Sequence, residues 1–197
     1  MIEFDLRNIA KKDMGPLLPF VDKKSQGYLT LDEGEHYKFL AAISDLFSGE
    51  IIIDIGTFKG VSAMSLAMNR KNQVVTVNIV KRSNFIGKTD LPIEQIICNI
   101  VDVRDNEDLV EKIIQSRIIL LDITHNGEDE AKFYDFLMEI SYQGILICDD
   151  IQLTRLGDMP GFWNAIKETK YDLSKYGHWS GTGLVDFSDQ LKIEGME

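Results

Sequence analysis

From residue 50 onwards, the hydrophobic pattern alternates between short apolar runs and segments of helical spacing. Residues 51–55 form an isoleucine run broken only by Asp54, which is typical of a strand covered on both faces. Similar runs predict strands at 74–80, 93–100, 117–121 and 144–148. Helices are predicted between and after them, at 61–68, 105–114, 128–142 and 161–169. The remaining tail predicts two more strands, at 171–176 and 183–187.

The chain before residue 50 has a different character. Residues 1–29 show no clear period and are expected to be largely irregular. Thr30 and Glu33 form a capping box, which predicts a helix from Thr30 to Phe47. We therefore expect a cap, residues 1–48, on an α/β unit, residues 49–197, within one compact domain. The alternation of strands and helices predicts a Rossmann-like, doubly wound α/β fold with a seven-strand, mostly parallel sheet.

Composition and charge exclude several classes of partner. The chain has 197 residues, of which 44% are hydrophobic and 27% are charged, as is ordinary for a globular protein. A formal net charge of -11 disfavours nucleic acid as a partner. No apolar stretch approaches the roughly 20 residues that span a bilayer, so no membrane association is expected. Cys98 and Cys148 lie inside apolar runs, which favours a reducing, cytoplasmic location.

The loop after the first apolar strand has the residues of a ligand-binding turn. Asp54 places a carboxylate at the strand end, suited to an ammonium or hydroxyl group of a ligand. Gly56 allows a tight turn and a close approach to the backbone, and Gly60 allows close packing where the helix starts. The G-x-x-x-G spacing differs from the dinucleotide fingerprint, so a nicotinamide dehydrogenase is the least favoured enzyme class. A plain strand–helix turn is the alternative.

Residues 54–63, D-I-G-T-F-K-G-V-S-A, resemble the first motif of class I S-adenosylmethionine-dependent methyltransferases, close to the small-molecule O-methyltransferase branch. The resemblance continues through 121–125 and 144–150 and covers about residues 28–187. It implies S-adenosylmethionine as cofactor, with its methionine part near Asp54, Gly56 and Gly60. The cofactor-binding residues expected on this basis are Asp54, Gly56, Thr57, Gly60, Ser62, Asn78, Asn99 and Asp102.

Two of these positions depart from the family pattern. Asn78 ends the second strand, where the family usually carries an acid that binds the ribose hydroxyls. An amide loses the stronger, charge-assisted hydrogen bond. At the end of the third strand, Asn99 and Asp102 are both suited to the adenine contact. Weak donor binding, or a different nucleotide-like ligand, therefore stays open.

Three aspartates predict a cation site. Asp122 follows one strand, Asp149 and Asp150 follow another, and the resemblance places the two strands side by side. Carboxylates gathered in this way suit Mg²⁺ or another divalent cation, and the metal-dependent relatives bind their ion at these positions. His125 lies three residues after Asp122, and the unperturbed pKa of histidine, about 6.5, suits a general base for a metal-bound hydroxyl. Solvated helix caps, and a loop histidine bonded to a carboxylate, are the alternatives.

The other two histidines carry weaker expectations. His36 falls on the first predicted helix and is expected to be a surface or packing residue. His178 and Trp179 precede the last predicted strand, where they form a structural turn or wall a substrate pocket.

These observations predict a methyltransferase that acts on a hydroxyl of a small molecule or glycan, with help from a divalent metal. One alternative is a non-catalytic relative that binds a metabolite or partner protein. Another is a metal-dependent hydrolase or oxygenase that uses the three aspartates. The lack of an evident set of two histidines and one carboxylate argues against iron–oxygen chemistry. A homodimer is expected, since two-fold dimers are the commonest assemblies.

Overall fold

The computed structural model describes residues 1–30, 36–80 and 86–196. The strands of this part are β1 (Ile2–Asp5), β2 (Ile51–Ile55), β3 (Gln73–Asn78), β4 (Ile93–Ile97), β5 (Ser116–Leu121), β6 (Ile145–Asp149), β7 (Thr169–Asp172), β8 (Thr182–Asp186) and β9 (Leu191–Glu194). Seven of them form the central sheet in the order β4-β3-β2-β5-β6-β8-β7. Six of the seven strands run in the same direction, and β8 runs opposite to them. This confirms the predicted Rossmann-like α/β fold with a mostly parallel, seven-strand sheet.

Helices cover both faces of the central sheet. They are α1 (Lys23–Thr30), α2 (Tyr37–Ser44), α3 (Val61–Ala67), α4 (Glu107–Gln115), α5 (Glu128–Glu139) and α6 (Met159–Ala165). One apolar core joins α4, α5 and α6 to the sheet, and a second core on the opposite face joins α2 and α3 to it. Burial on both faces explains the continuous apolar runs of the central strands. Within the described ranges, no helix combines the length and apolarity that a membrane crossing requires.

The expectation that residues 1–29 are largely irregular is wrong. The segment contains α1 and β1, and β1 pairs in parallel with β9 in a separate two-stranded sheet. Ile2 lies opposite Leu191 in this pairing. A strand of four residues has too short a pattern to recognise when its partner lies at the other end of the chain. Both ends of the chain are thus tied to each other.

The predicted helix from Thr30 to Phe47 is also corrected. Thr30 is the last residue of α1, where its hydroxyl donates to the carbonyl of Gln26 at 3.2 Å, and α2 begins at Tyr37. Glu33, the partner in the predicted capping box, lies outside the described residues.

Several other predicted boundaries shift by a few residues. The Asp158 carboxylate accepts the amide of Gly161 at 2.8 Å, so α6 starts two residues earlier than predicted. It ends at Ala165 because Ile166 takes an extended conformation, and Thr169 opens β7. The predicted strand 93–100 ends at Ile97, since Asn99 caps a 3-10 turn over Ile100–Asp105.

The connection order reverses between β2 and β5, so the carboxyl ends of β2, β3, β5 and β6 meet at one edge of the sheet. Ligands of doubly wound sheets bind at this kind of switch point.

Candidate functional site

A cavity of about 790 Å³ opens at the switch point of the sheet. This volume lies within the range of small-molecule sites. The ends of β2, β3, β4 and β5 line the cavity, and apolar side chains such as Phe58 and Ile79 contribute to its walls. The sequence-predicted site residues that line it are Gly56, Asn78, Asn99, Asp122 and His125.

Gly56 brings the ends of β2 and β5 into close contact. Its φ angle is 106°, in the region that favours glycine, and a Cβ atom at this position would lie 1.7 Å from the carbonyl oxygen of Asp122. The Asp122 amide donates to the carbonyl of Ile55 at 3.0 Å. The loop therefore holds Asp122 beside the cavity through its backbone, which is why glycine is required here.

Asp54 lies beneath this loop, fully buried, and does not line the cavity. Its Oδ2 accepts the Thr76 hydroxyl at 2.5 Å, whereas its Oδ1 has no hydrogen-bond partner among the described residues. Burial raises the pKa of Asp54 to about 6, against the opposing effect of the Thr76 and Ser62 hydroxyls. Within the described residues, the Asp54 carboxylate thus has no exposed surface at which to make the predicted contact with a ligand ammonium or hydroxyl.

The rest of the first loop is packed into the protein. Thr57 is buried, and its hydroxyl lies 2.6 Å from that of Thr76. Gly60 has a φ angle of 81° and precedes α3, on which Ser62 is buried. Thr57, Gly60 and Ser62 do not line the cavity; they support the loop from its buried side.

The two asparagines at the ends of β3 and β4 face the cavity. Asn78 Oδ1 accepts the amide of Ile79 at 2.9 Å. Asn99 Nδ2 donates to Asp102 Oδ2 at 2.7 Å. Asp102 itself is outside the cavity lining and orients Asn99.

The structure gathers Asp122, Asp149 and Asp150 at one place. Leu121 lies opposite Cys148 in the register of β5 and β6, so Asp122 and Asp149 are at the same level at the ends of these strands. Burial raises the pKa of Asp122, and the charge of Asp149 adds to this effect. The sequence-predicted acidic cluster therefore exists as a spatial group.

His125 lies between two of these carboxylates. Its Nε2 is 3.3 Å from Asp122 Oδ1, and its Nδ1 is 3.5 Å from Asp150 Oδ2. Burial alone would lower the pKa of His125, but Asp122 and Asp150 outweigh it and raise the pKa to about 9. The buried Glu130 carboxylate holds the His125 loop by accepting the amides of His125 at 2.7 Å and Gly127 at 2.8 Å.

The other two histidines complete the cluster. The expectation for His36 is a surface or packing residue, and the surface alternative is wrong. His36 is buried, and its Nδ1 lies 3.1 Å from Asp149 Oδ1. His178 Nδ1 lies 2.8 Å from Asp150 Oδ1 and 3.4 Å from Asp149 Oδ1. Burial opposes ionisation of Asp149, but His36 and His178 outweigh it and lower the pKa of Asp149.

Sequence reasoning missed this arrangement because 113 residues separate His36 from Asp149. A set of two histidines and one carboxylate, namely His36, Asp149 and His178, does exist. The expectation that the chain lacks such a set is therefore wrong.

Comparison with known proteins identifies the architecture. No protein-family model matches the chain, and no curated protein matches it with significance. Among solved structures, a putative caffeoyl-CoA O-methyltransferase from Staphylococcus aureus superposes with a TM-score of 0.59 at 16% identity, over 91% of this chain and 95% of that one. The chain has the class I methyltransferase fold.

Two further structures with this fold agree. The O-methyltransferase TomG from Streptomyces achromogenes, solved with S-adenosylmethionine, gives a TM-score of 0.59 at 15% identity, over 89% of this chain and 90% of that one. An O-methyltransferase from Bacillus cereus, solved with S-adenosylhomocysteine, gives 0.56 at 17% identity, over 92% and 90%. In the methyltransferase fold described here, the cavity and the histidine–aspartate cluster meet at Asp122 and His125.

Proposed function

We propose that this protein is an S-adenosylmethionine-dependent methyltransferase that acts on a hydroxyl of a small molecule or glycan, with help from a divalent cation. One observation carries the proposal: the cavity at the switch point contains both the Gly56 loop and the Asp122–His125 edge. A donor in the cavity and a hydroxyl at this edge would therefore be neighbours. The O-methyltransferases solved with S-adenosylmethionine or S-adenosylhomocysteine on the same fold support this choice of donor.

The donor side of the cavity has the chemistry of a nucleoside site. Asn78 and Asn99 offer amide groups at the ends of β3 and β4, while Phe58 and Ile79 offer apolar surface. Amides pair with ribose hydroxyls and with ring nitrogens, and apolar side chains stack on a purine. Gly56 lines the same cavity, where its backbone is available to the amino-acid part of the donor.

The acceptor side needs a group that takes a proton. S-adenosylmethionine bound in the cavity would supply a methyl group from its sulfur to the acceptor oxygen, with cleavage of the carbon–sulfur bond, and the hydroxyl proton would pass to a base. His125 is the imidazole at this edge of the cavity. Asp122 and Asp150 favour the protonated form of His125. A positive charge bound near these carboxylates would offset their effect and favour the neutral imidazole, which can accept a proton. Asp122, Asp149 and Asp150 are the residues proposed to hold the divalent cation there.

Calorimetric titration of the full chain with S-adenosylhomocysteine tests donor binding. We expect saturable binding that Asn78→Asp strengthens, because a carboxylate makes charge-assisted bonds to the ribose hydroxyls. Absence of binding at millimolar ligand in both proteins would contradict the proposal and favour a non-catalytic scaffold.

The role of His125 is tested by His125→Asn in a methyl-transfer assay with hydroxyl acceptors and added divalent cation. We expect a rate loss of about 10²–10⁴-fold, because proton removal by a positioned base contributes about this much. S-adenosylhomocysteine affinity should stay the same, since the donor side is intact. An unchanged rate would exclude His125 as the base.

A further inference from the structure

All three histidines of the chain lie in one cluster. The sequence contains only three histidines in 197 residues. His125 pairs with Asp122 and Asp150, whereas His36 and His178 surround Asp149. The rings of His36 and His178 are 5.5 Å apart between centroids. Two imidazoles therefore converge on Asp149, which is one of the three aspartates of the proposed cation site.

The spacing of these three groups matches that of metal ligands. His36 Nδ1 and His178 Nδ1 lie 3.1 and 3.4 Å from Asp149 Oδ1. The three ligand atoms of the group lie within 4.8 Å of one another. Tetrahedral ligands that bind zinc at about 2.0–2.1 Å are about 3.3 Å apart, which is close to the two distances to Asp149 Oδ1.

Surrounding side chains hold the imidazoles in place. His178 Nδ1 also lies 2.8 Å from Asp150, whose carboxylate accepts the Ser180 hydroxyl, so an ion bound at this nitrogen would replace the His178–Asp150 hydrogen bond. The Tyr37 ring meets the edge of His36 with centroids 5.1 Å apart. The Tyr37 contact restrains the orientation of the His36 ring. His36 and Asp149 are both buried, so water competes little for them.

We propose that His36, Asp149 and His178 bind one divalent first-row transition metal ion, of the class of Zn²⁺, Co²⁺ and Fe²⁺, in preference to Mg²⁺. Imidazole nitrogen suits these metals, whereas Mg²⁺ demands an octahedral shell of oxygen ligands. The catalytic use of this ion rests on the proposed function, but its binding does not. Asp149 belongs both to this set and to the three aspartates named under the proposed function, so one ion is bound here, with His36 and His178 in place of Asp122 and Asp150 as its other protein ligands.

The full chain, stripped of metal by a chelator, is titrated with Co²⁺ and the visible absorption bands of the bound ion are recorded. Mg²⁺ serves as the competing ion. We expect one Co²⁺ per chain and little displacement by excess Mg²⁺. Because each imidazole is a ligand, His36→Asn and His178→Asn should each weaken Co²⁺ binding at least about tenfold and alter the bands.

His125→Asn is the matched control, since it removes the third imidazole of the same cluster without touching the ligand set. We expect it to leave Co²⁺ affinity within a few-fold of the starting protein. Circular dichroism establishes folding of each variant. If the buried His36 variant fails to fold, the His178 variant decides, because its side chain is on a loop and partly exposed.

The proposal is overturned if the starting protein does not bind Co²⁺. It is equally overturned if both histidine variants bind Co²⁺ as well or better while Asp122→Asn and Asp150→Asn lose it, because the ligands are then carboxylates only. S-adenosylhomocysteine binding is measured separately on the metal-free chain. Co²⁺ binding without donor binding contradicts methyl transfer alone, and donor binding without Co²⁺ binding contradicts the metal site alone.

Discussion

Gly56 shows how one residue without a side chain determines the shape of the cavity. Residues with a side chain rarely adopt its positive φ angle, and their Cβ atom would overlap the Asp122 backbone. Gly49 provides a comparison, since it has a φ angle of 79° but nothing within 4 Å of an added Cβ atom. Substitution of Gly49 would therefore cause backbone strain alone, whereas substitution of Gly56 would cause both backbone strain and steric overlap.

We predict that Gly56→Ala lowers the free energy of unfolding by more than about 3 kcal/mol, because the backbone of Asp122 must move. Gly49→Ala should cost only about 1–2 kcal/mol, the price of the left-handed conformation alone. Urea denaturation of both variants measures the difference. Equal losses would show that the Gly56–Asp122 contact is not tight.

Asp54 predicts a pH-dependent stability. Its pKa rises from 3.8 to about 6 on folding, so the folded chain binds more protons than the unfolded chain between these values. The contribution of Asp54 is therefore most favourable below about pH 4 and is lost as pH rises through about 6. As pH rises from about 4 to about 6, the free energy of unfolding of the starting protein should fall by up to about 3 kcal/mol relative to that of Asp54→Asn. Above this range, the difference should change little.

Denaturation of the two proteins at a series of pH values provides this measurement. Asp108→Asn, at an exposed aspartate of α4, is the control for removing an acid. If the difference in unfolding free energy between the starting protein and Asp54→Asn stays constant from pH 4 to 7, the raised pKa of the buried Asp54 carboxyl is contradicted.

At the scale of elements, local patterns predicted the central strands well and the helix boundaries less well. Isoleucine and valine runs reflect burial on both faces of the sheet, which is a property of each strand by itself. Boundaries such as the start of α6 depend on one capping side chain, Asp158, which the apolar period does not report. The β1–β9 pair depends on two short segments at opposite ends of the chain and has no local signature.

The β1–β9 pair should contribute strongly to stability. Phe4 of β1 is buried and packs against Phe39 with ring centroids 5.9 Å apart. We predict that Phe4→Ala lowers the free energy of unfolding by about 3–5 kcal/mol, because it leaves a cavity in the core. Met138→Ala, at a largely exposed position of α5, should change it by less than about 1 kcal/mol. Chemical denaturation that shows a small effect of Phe4→Ala would mean that β1 is dispensable.

At the scale of the whole molecule, the sequence-predicted cap and α/β unit share one core. Phe4 and Phe39 from residues 1–48 belong to the same apolar cluster as Ile52, Val74 and Leu184 of the sheet. Removing the cap would expose this face of the sheet to water. The division at residue 48 therefore separates two stretches of sequence that share one hydrophobic core.

We predict that a fragment of residues 49–197 does not fold on its own and that the full chain unfolds in a single transition. Calorimetry of the full chain and circular dichroism of the fragment provide the measurements. A fragment with a cooperative transition near that of the full chain would contradict the shared core. The homodimer and the exclusion of nucleic acid remain predictions, which gel filtration and a DNA-binding titration address.

The sequence by itself determined the fold class, the buried strands, the Gly56 turn and the presence of acids after β5 and β6. These features follow from burial period and backbone freedom, which act over a few neighbouring residues. Only the tertiary structure decided that Asp54 lies beneath the loop and that His36 and His178 meet at Asp149. Such contacts join segments far apart in the chain, and they depend on which strands the crossover connections place side by side.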